Sequence, residues 1–273
     1  MDRLSLKNIV KNSQVSISKT DEMIYCVLNG NDFNNEGLKI TLEDDANVNL
    51  LLVNYKNDFP LDIELKEGSS LKIEGLLLDE QQSLNITANL GKFAQIISYF
   101  ADLSSGDNKS KVVMNLNGEN SSAFWKLASV TEKKDKKVFD VSIIHNTSKT
   151  YGVSDNYGVT KDEGFLSFSG ISHIKNGSKF SKTRQNAKII VFDKLSNAKA
   201  QPILKIDENE VEASHGASVG TVNEDQIFYL TSRGLKEEMA RQLITLGYLK
   251  PILNGFSDEE IKEEISTLIE GRM

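Results

Sequence analysis

"LEDDANVNL" (42–50), "LKEGSSLKI" (65–73) and "LDEQQSLNI" (78–86) decide the fold. Each has a leucine, a polar corner carrying an acid, a small residue or serine near the corner's end, and then apolar–x–apolar. Leu42 to Val48, Leu65 to Leu71 and Leu78 to Leu84 share one spacing. A strand–corner–strand unit cannot bury its apolar face alone, and copies that stack on one another form a solenoid. A sandwich of regular hairpins shows similar alternation. Two features favour the solenoid. The apolar positions are Leu, Ile and Val with few aromatics, which suits a narrow layered interior, and the corners vary in length while the strands stay short.

From about residue 37 to 206 the chain continues in this way, with turn residues recurring roughly every 8 to 13 positions. The pattern changes after Gly220. "NEDQIFYLTSRG" (223–234) predicts a short helix, capped by Asn223 and stopped by Gly234. In "LKEEMARQLITLG" (235–247), Leu235, Met239, Leu243 and Leu246 share a face and Gly247 follows the end. "SDEEIKEEISTLIEGRM" (257–273) sets Ser257 and Glu260 at capping-box spacing, with Ile261, Ile265, Leu268 and Ile269 as an apolar stripe. The expected division is a short N-terminal segment (1–36), an all-β core (37–220) and a C-terminal helical domain (221–273). The helical part can pack on the core, dock a partner or cap an open solenoid end.

Composition narrows the function classes. A net charge of −7 over 273 residues argues against phosphate-backbone binding, so no nucleic acid is expected. "EKKDKKV" (132–138) is the densest basic run, and its interleaved acids predict a solvated hairpin tip. The N-terminus shows no secretory pattern, and no apolar run approaches the ~18 residues of a membrane span. With Cys26 as the single cysteine, a cytoplasmic location is the default expectation. Cys26 lies in "MIYCVL" and is expected as a small core residue. Nucleotide loops, C-x-x-C and paired metal-ligating histidines are missing from the sequence. His145, at a strand end, and His173, on a strand, are expected as ordinary half-buried histidines. His215, between Ser214 and Gly216, is either a satisfied turn residue or a ligand or proton carrier displayed at an edge.

"QPILKIDENEVEASHGASVGTVNEDQIFYLTSRGL" (201–235) resembles the signature of the SufB/SufD family of iron–sulfur cluster assembly scaffold proteins. Pro202, His215, Ala217, Gln226, Phe228, Tyr229, Leu230, Ser232, Arg233 and Gly234 carry the likeness. "HNTSKT", with His145 and Thr150, "KTRQ", with Thr183 and Gln185, and "LKITLEDDANVNLLLVNY" resemble further family segments, so that the likeness spans roughly 37 to 250. His215-Gly216-Ala217 matches SufD-like chains, where SufB-like chains have His-Glu-Ala; Phe192 stands where SufB-like chains carry a functional cysteine. The extended N-terminal helical region of larger members has almost no counterpart here. The resemblance implies a right-handed parallel β-helix with a small C-terminal helical domain, and a non-catalytic scaffold subunit. It implies pairing with a SufB-like subunit through the C-terminal end of the β-helix, and docking of a SufC-like ATPase on the helical domain. Leu235, Met239, Leu243, Ile261 and Ile265 are the candidate docking residues. No cluster is expected to be held stably by this chain alone. A transient iron–sulfur cluster at the partner interface would involve His215 as a ligand shared with a partner thiolate. A SufBD-like homodimer and a β-helix polysaccharide-active enzyme are the alternatives.

Overall fold

The computed structural model describes residues 4–32, 37–53, 55 and 59–272. Seventeen strands run in chain order: β1 (Leu4–Ser5), β2 (Gln14–Ile17), β3 (Ile24–Asn29), β4 (Leu38–Leu42), β5 (Asn47–Val53), β6 (Pro60–Leu65), β7 (Ser70–Leu77), β8 (Asn85–Leu90), β9 (Gln95–Asp102), β10 (Asn108–Leu116), β11 (Ser122–Thr131), β12 (Lys136–His145), β13 (Tyr151–Thr160), β14 (Phe165–Ile174), β15 (Lys182–Val191), β16 (Asn197–Ile206) and β17 (Glu212–Thr221). Helices α1 (Glu224–Ser232), α2 (Glu237–Leu253) and α3 (Glu259–Arg272) follow. Odd strands form one sheet and even strands the other; neighbours in each sheet are two apart in sequence, and every pairing between these strands is parallel. This is a parallel β-solenoid, each coil giving one strand to each sheet. Within the short N-terminal segment expected over 1–36, residues 4–29 supply β1, β2 and β3 of the first coils.

Stacking turns the sequence repeat into rows. Ile17, Leu42, Leu65, Leu90, Leu116, His145, Ile174 and Ile206 lie in register along the even sheet. Behind them, Ala46, Ser69, Ala94, Ser121, Thr150 and Ser181 form a buried row of small residues at the corner. The expected repeat is right for Leu42 and Leu65. The true third copy begins at Leu90, because Leu78–Leu84 forms the opposite corner, from β7 to β8. Both corners reverse the chain between the same two layers, so they share apolar spacing without sharing a register. Few corners use glycine: Asp45, Phe93, Lys149 and Phe180 take positive φ where Gly68 does so in the second copy. Each of these donates its N–H to a carbonyl of the next coil, at 2.6 to 3.0 Å, which offsets a left-handed cost of about 1–2 kcal/mol. "EKKDKKV" is one of these coil corners, joining β11 to β12, and not a hairpin tip. Its Asp135 caps Gly106 N–H and Glu132 N–H, and its Lys137 is fully buried.

The helices lie against the outer face of the odd sheet, α2 over β9, β11 and β13. Leu249, Ile252, Phe256, Ile265 and Ile269 are buried there against Ala101, Ala128, Val130 and Val159; each large side chain adds about 2 kcal/mol of hydrophobic stabilisation. Asn223 caps α1, accepting from Asp225 N–H, and Gly234 follows its end at φ +96°. Two expected boundaries move. Gly247 does not end the second helix, which runs on through Pro251 to Leu253. The apolar stripe continues in Leu249, Ile252 and Leu253, and its burial outweighs the poor helix propensity of glycine and proline. Ser257 does not cap α3; Asp258 accepts from Glu260 N–H at 2.8 Å instead. Ser257 bonds the buried Glu74 through its N–H (3.0 Å) and hydroxyl (2.7 Å), tying α3 to β7.

Candidate functional site

The helical domain leaves the last coil open. β16 and β17 end their sheets, so each offers one unpaired edge of ten residues. In register along the odd sheet run Cys26, Leu50, Ile73, Ser98, Trp125, Ser154, Gln185 and His215. All but the last are buried. His215 continues this inward row, has no coil above it and is exposed. Ala213, Ala217 and Val219 alternate with it on the same face, so the mouth is an apolar floor of small side chains with one imidazole. Gly216, on the outer face, stacks over Asn186, whose oxygen would lie 3.3 Å from an added Cβ.

The rim is charged, and its charges are mostly held. Asp207 bonds His173 Nε2 at 2.7 Å, and that bond holds its carboxyl below the usual range. Glu210 pairs with Lys179 and Glu212 with Lys182. Asp155 on the outer face is engaged by Arg184 (3.3 Å) and Asn186 (2.8 Å).

The interior changes character toward this mouth. Around the first coils it is hydrocarbon; around the last it carries hydroxyls and amides. Trp125 Nε1 donates to Asn156, and Asn156 to Ser154, both at 3.0 Å. His145 Nδ1 lies 2.7 Å from Thr150 Oγ1, which is 2.8 Å from Ser181 Oγ. His145 is fully buried, not half-buried, and burial pushes its pKa down to about 4. It fills a leucine position in its row. Lys137, also 0% exposed, pairs with the equally buried Asp102 at 3.1 Å. Lys137 and His145 lie on the inward row of β12 with Phe139, Val141 and Ile143; extending the period-two alternation to the strand's ends would have found them. Cys26 is buried as expected, and burial raises its thiol to about 11. It stands seven rungs from His215, roughly 34 Å at ~4.8 Å per strand, so the two do not meet.

The helical residues separate by environment. Met239 and Leu243 are 46% and 50% exposed, as are Phe228 (74%) and Tyr229 (56%) on α1. Leu235 and Ile261 are half-buried, and Ile265 is fully buried, leaving it no open surface. A cleft of about 580 Å³ between α1, α2 and β15 is lined by Tyr229, Leu230, Leu243, Ile244, Tyr248 and Ile190, among others. Sequence reasoning passed over Phe228 and Tyr229 as surface, seeing them only as part of a signature. Among the described residues no helix is long and apolar enough to cross a membrane, and no group of three or more His, Cys, Asp or Glu side chains is placed to hold a metal ion.

Comparison with known proteins gives one consistent result. The family model for the SUF system FeS cluster assembly SufBD core domain matches residues 8–248. The iron–sulfur cluster assembly protein SufD of Bacillus subtilis is 32% identical over 171 residues, covering 63% of this chain and 39% of that protein. SufD of Escherichia coli is 27% identical over 160 residues, 58% of this chain and 37% of that protein. A SufBD family protein of Mycobacterium leprae is 30% identical over 131 residues, 48% of this chain and 15% of that protein. The chain thus matches under two fifths of the length of each of these relatives.

Proposed function

The chain belongs to the SufBD core family of iron–sulfur cluster assembly proteins and resembles its SufD members, and from that premise we propose that it is a SufD-like scaffold subunit whose open solenoid end pairs with a SufB-like subunit. The observation that carries the proposal is the uncovered mouth: two free parallel edges over an apolar floor, with an exposed imidazole on the inward row. Strand pairing across such edges satisfies backbone groups that are otherwise left to water. A cluster built at that junction is cargo. His215 offers a borderline nitrogen ligand and a proton acceptor. The soft thiolates that iron–sulfur chemistry needs come from the partner, since this chain's single cysteine is buried at the far end. The exposed Met239 and Leu243, with the cleft that Leu243 lines, suit docking of a SufC-like ATPase, whose cycle strains the subunit junction. The chain itself is non-catalytic in this reading and works in the cytoplasm.

The test is His215→Ala in a complex with the SufB-like and SufC-like proteins of the same organism. His215 is exposed, so the melting temperature and co-purification stay unchanged, within the ~0.5 kcal/mol usual for surface substitutions. The iron–sulfur chromophore, however, fails to accumulate. His145→Ala and His173→Ala are the controls. Normal cluster accumulation in His215→Ala would refute the assignment. Mass measurement of the chain with and without its partners separates the heteromer from a homodimer.

A further inference from the structure

Gln185 stands one rung beneath His215 in the inward row. It is 3% exposed. Its amide nitrogen donates to Ser172 Oγ at 2.6 Å and to the Ile203 carbonyl oxygen at 3.3 Å. A carbonyl oxygen only accepts, so these two bonds fix which end of the amide is nitrogen. The oxygen, Oε1, is the free end. It is buried and has no hydrogen-bond partner, a state that protein interiors seldom leave uncompensated. Oε1 points toward Gly170 of β14, where a Cβ would lie 2.9 Å from it, so the glycine keeps its surroundings open. A void of about 10 Å³ adjoins it, bounded by Asn156, Phe168, Gly170, Ala187 and Pro202 among others. That is the lower limit for one water. Paired residues on adjacent strands lie side by side about 4.8 Å apart, within reach for a glutamine and an imidazole.

We propose that Gln185 is the positioning residue for His215: once a partner strand covers the mouth, the imidazole N–H donates to Gln185 Oε1. The second ring nitrogen is thereby held as a lone pair facing the partner. This rests on the reading of His215 given above. The hydrogen bond made by one ring nitrogen sets the tautomer and the availability of the other, and removing such a supporting partner from a ligating histidine costs about 10–100-fold in affinity or activity.

The experiment uses the complex with the SufB-like and SufC-like proteins, this chain carrying ¹⁵N-histidine, at a pH where the imidazole is neutral. Wild-type His215 shows a single tautomer. Gln185→Met, close in volume and lacking the acceptor, populates both tautomers and lowers cluster accumulation about 10–100-fold. Thr183→Val removes another bond to Ser172, at 2.8 Å in the same polar group. It leaves tautomer and yield unchanged, whereas a merely structural role for Gln185 would make the two variants alike. If Gln185→Met does not assemble, Gln185→Glu decides: a carboxylate at this place shifts the His215 ¹⁵N signals, and unshifted signals overturn the proposal. Two populated tautomers in the wild type overturn it without any variant. Loss of clusters in His215→Ala together with wild-type tautomer and yield in Gln185→Met overturns the role of Gln185 alone. Normal clusters in His215→Ala overturn the reading of His215 itself.

Discussion

His145 and Lys137 show how single side chains shape this interior. The folded His145 takes up a proton only near pH 4, whereas the unfolded chain does so near the ordinary value of 6.5. Between those values the unfolded state binds more protons, so stability is lost as pH falls through the window and levels off below about 4. The shift corresponds to about 3 kcal/mol. His145→Leu restores the row between Leu116 and Ile174 and should flatten the pH dependence, as denaturant midpoints at pH 7, 5.5 and 4.5 would show. Equal slopes in variant and wild type would contradict a buried neutral imidazole. Lys137 is pushed down by burial and held up by Asp102, and it donates to the Ser104 and Val130 carbonyl oxygens at 2.7 and 2.9 Å. Lys137→Met leaves a buried carboxylate unpaired and should cost about 3–5 kcal/mol. Adding Asp102→Asn should recover part of that loss, measurable by urea denaturation. Local composition hid both groups, because a histidine beside "NTSKT" and a lysine inside "EKKDKKV" have the composition of surface turns, and only the period-two alternation carried to the ends of β12 reveals them. Their burial follows from rows fixed by residues about 30 positions away, which local composition does not report.

The coil is the element the sequence displays best. Its leading apolar residue and its small residue recur with nearly the same spacing, and they become two buried rows on either side of a left-handed corner. What stayed hidden is which of the two corners a copy belongs to, since Leu78–Leu84 and Leu90–Ile96 look alike until strands are paired. The helices were located by periodicity, but Gly247 suggested a stop that tertiary burial of Leu249 and Leu253 overrides. The three helices also divide their labour by face. Ile265→Ala should cost about 2–5 kcal/mol of stability, because it hollows the seam with the odd sheet. Met239→Ser with Leu243→Ser should leave thermal unfolding near its wild-type midpoint and weaken capture of the SufC-like ATPase at least tenfold in a binding titration. Undiminished capture would move the docking surface elsewhere on the molecule.

At the scale of the whole molecule the two ends are unequal. The mouth is apolar and unpaired, so a large charge placed on its inward face should block pairing without disturbing the coils beneath. Ala217→Arg is expected to abolish co-purification of the SufB-like subunit and any concentration-dependent self-association seen by size-exclusion chromatography, with thermal stability retained. Retained pairing would mean that the partner binds another face. The coils themselves lengthen along the chain, from Leu42–Leu65 to the longer Ile174–Ile206, while their filling passes from hydrocarbon to hydroxyl and amide. In a stack where each layer is held only by its neighbours, such a gradient gives folding a direction. Order is expected to spread from the dry, narrow layers, and the last layer, with a neighbour on one side only, to close late and fray early. A strand arriving from outside at β17 would be that missing neighbour. Subunit pairing of the kind proposed would then be the final propagation step of this chain's own folding, and a molecule whose inner layers had not zipped would have no template to offer.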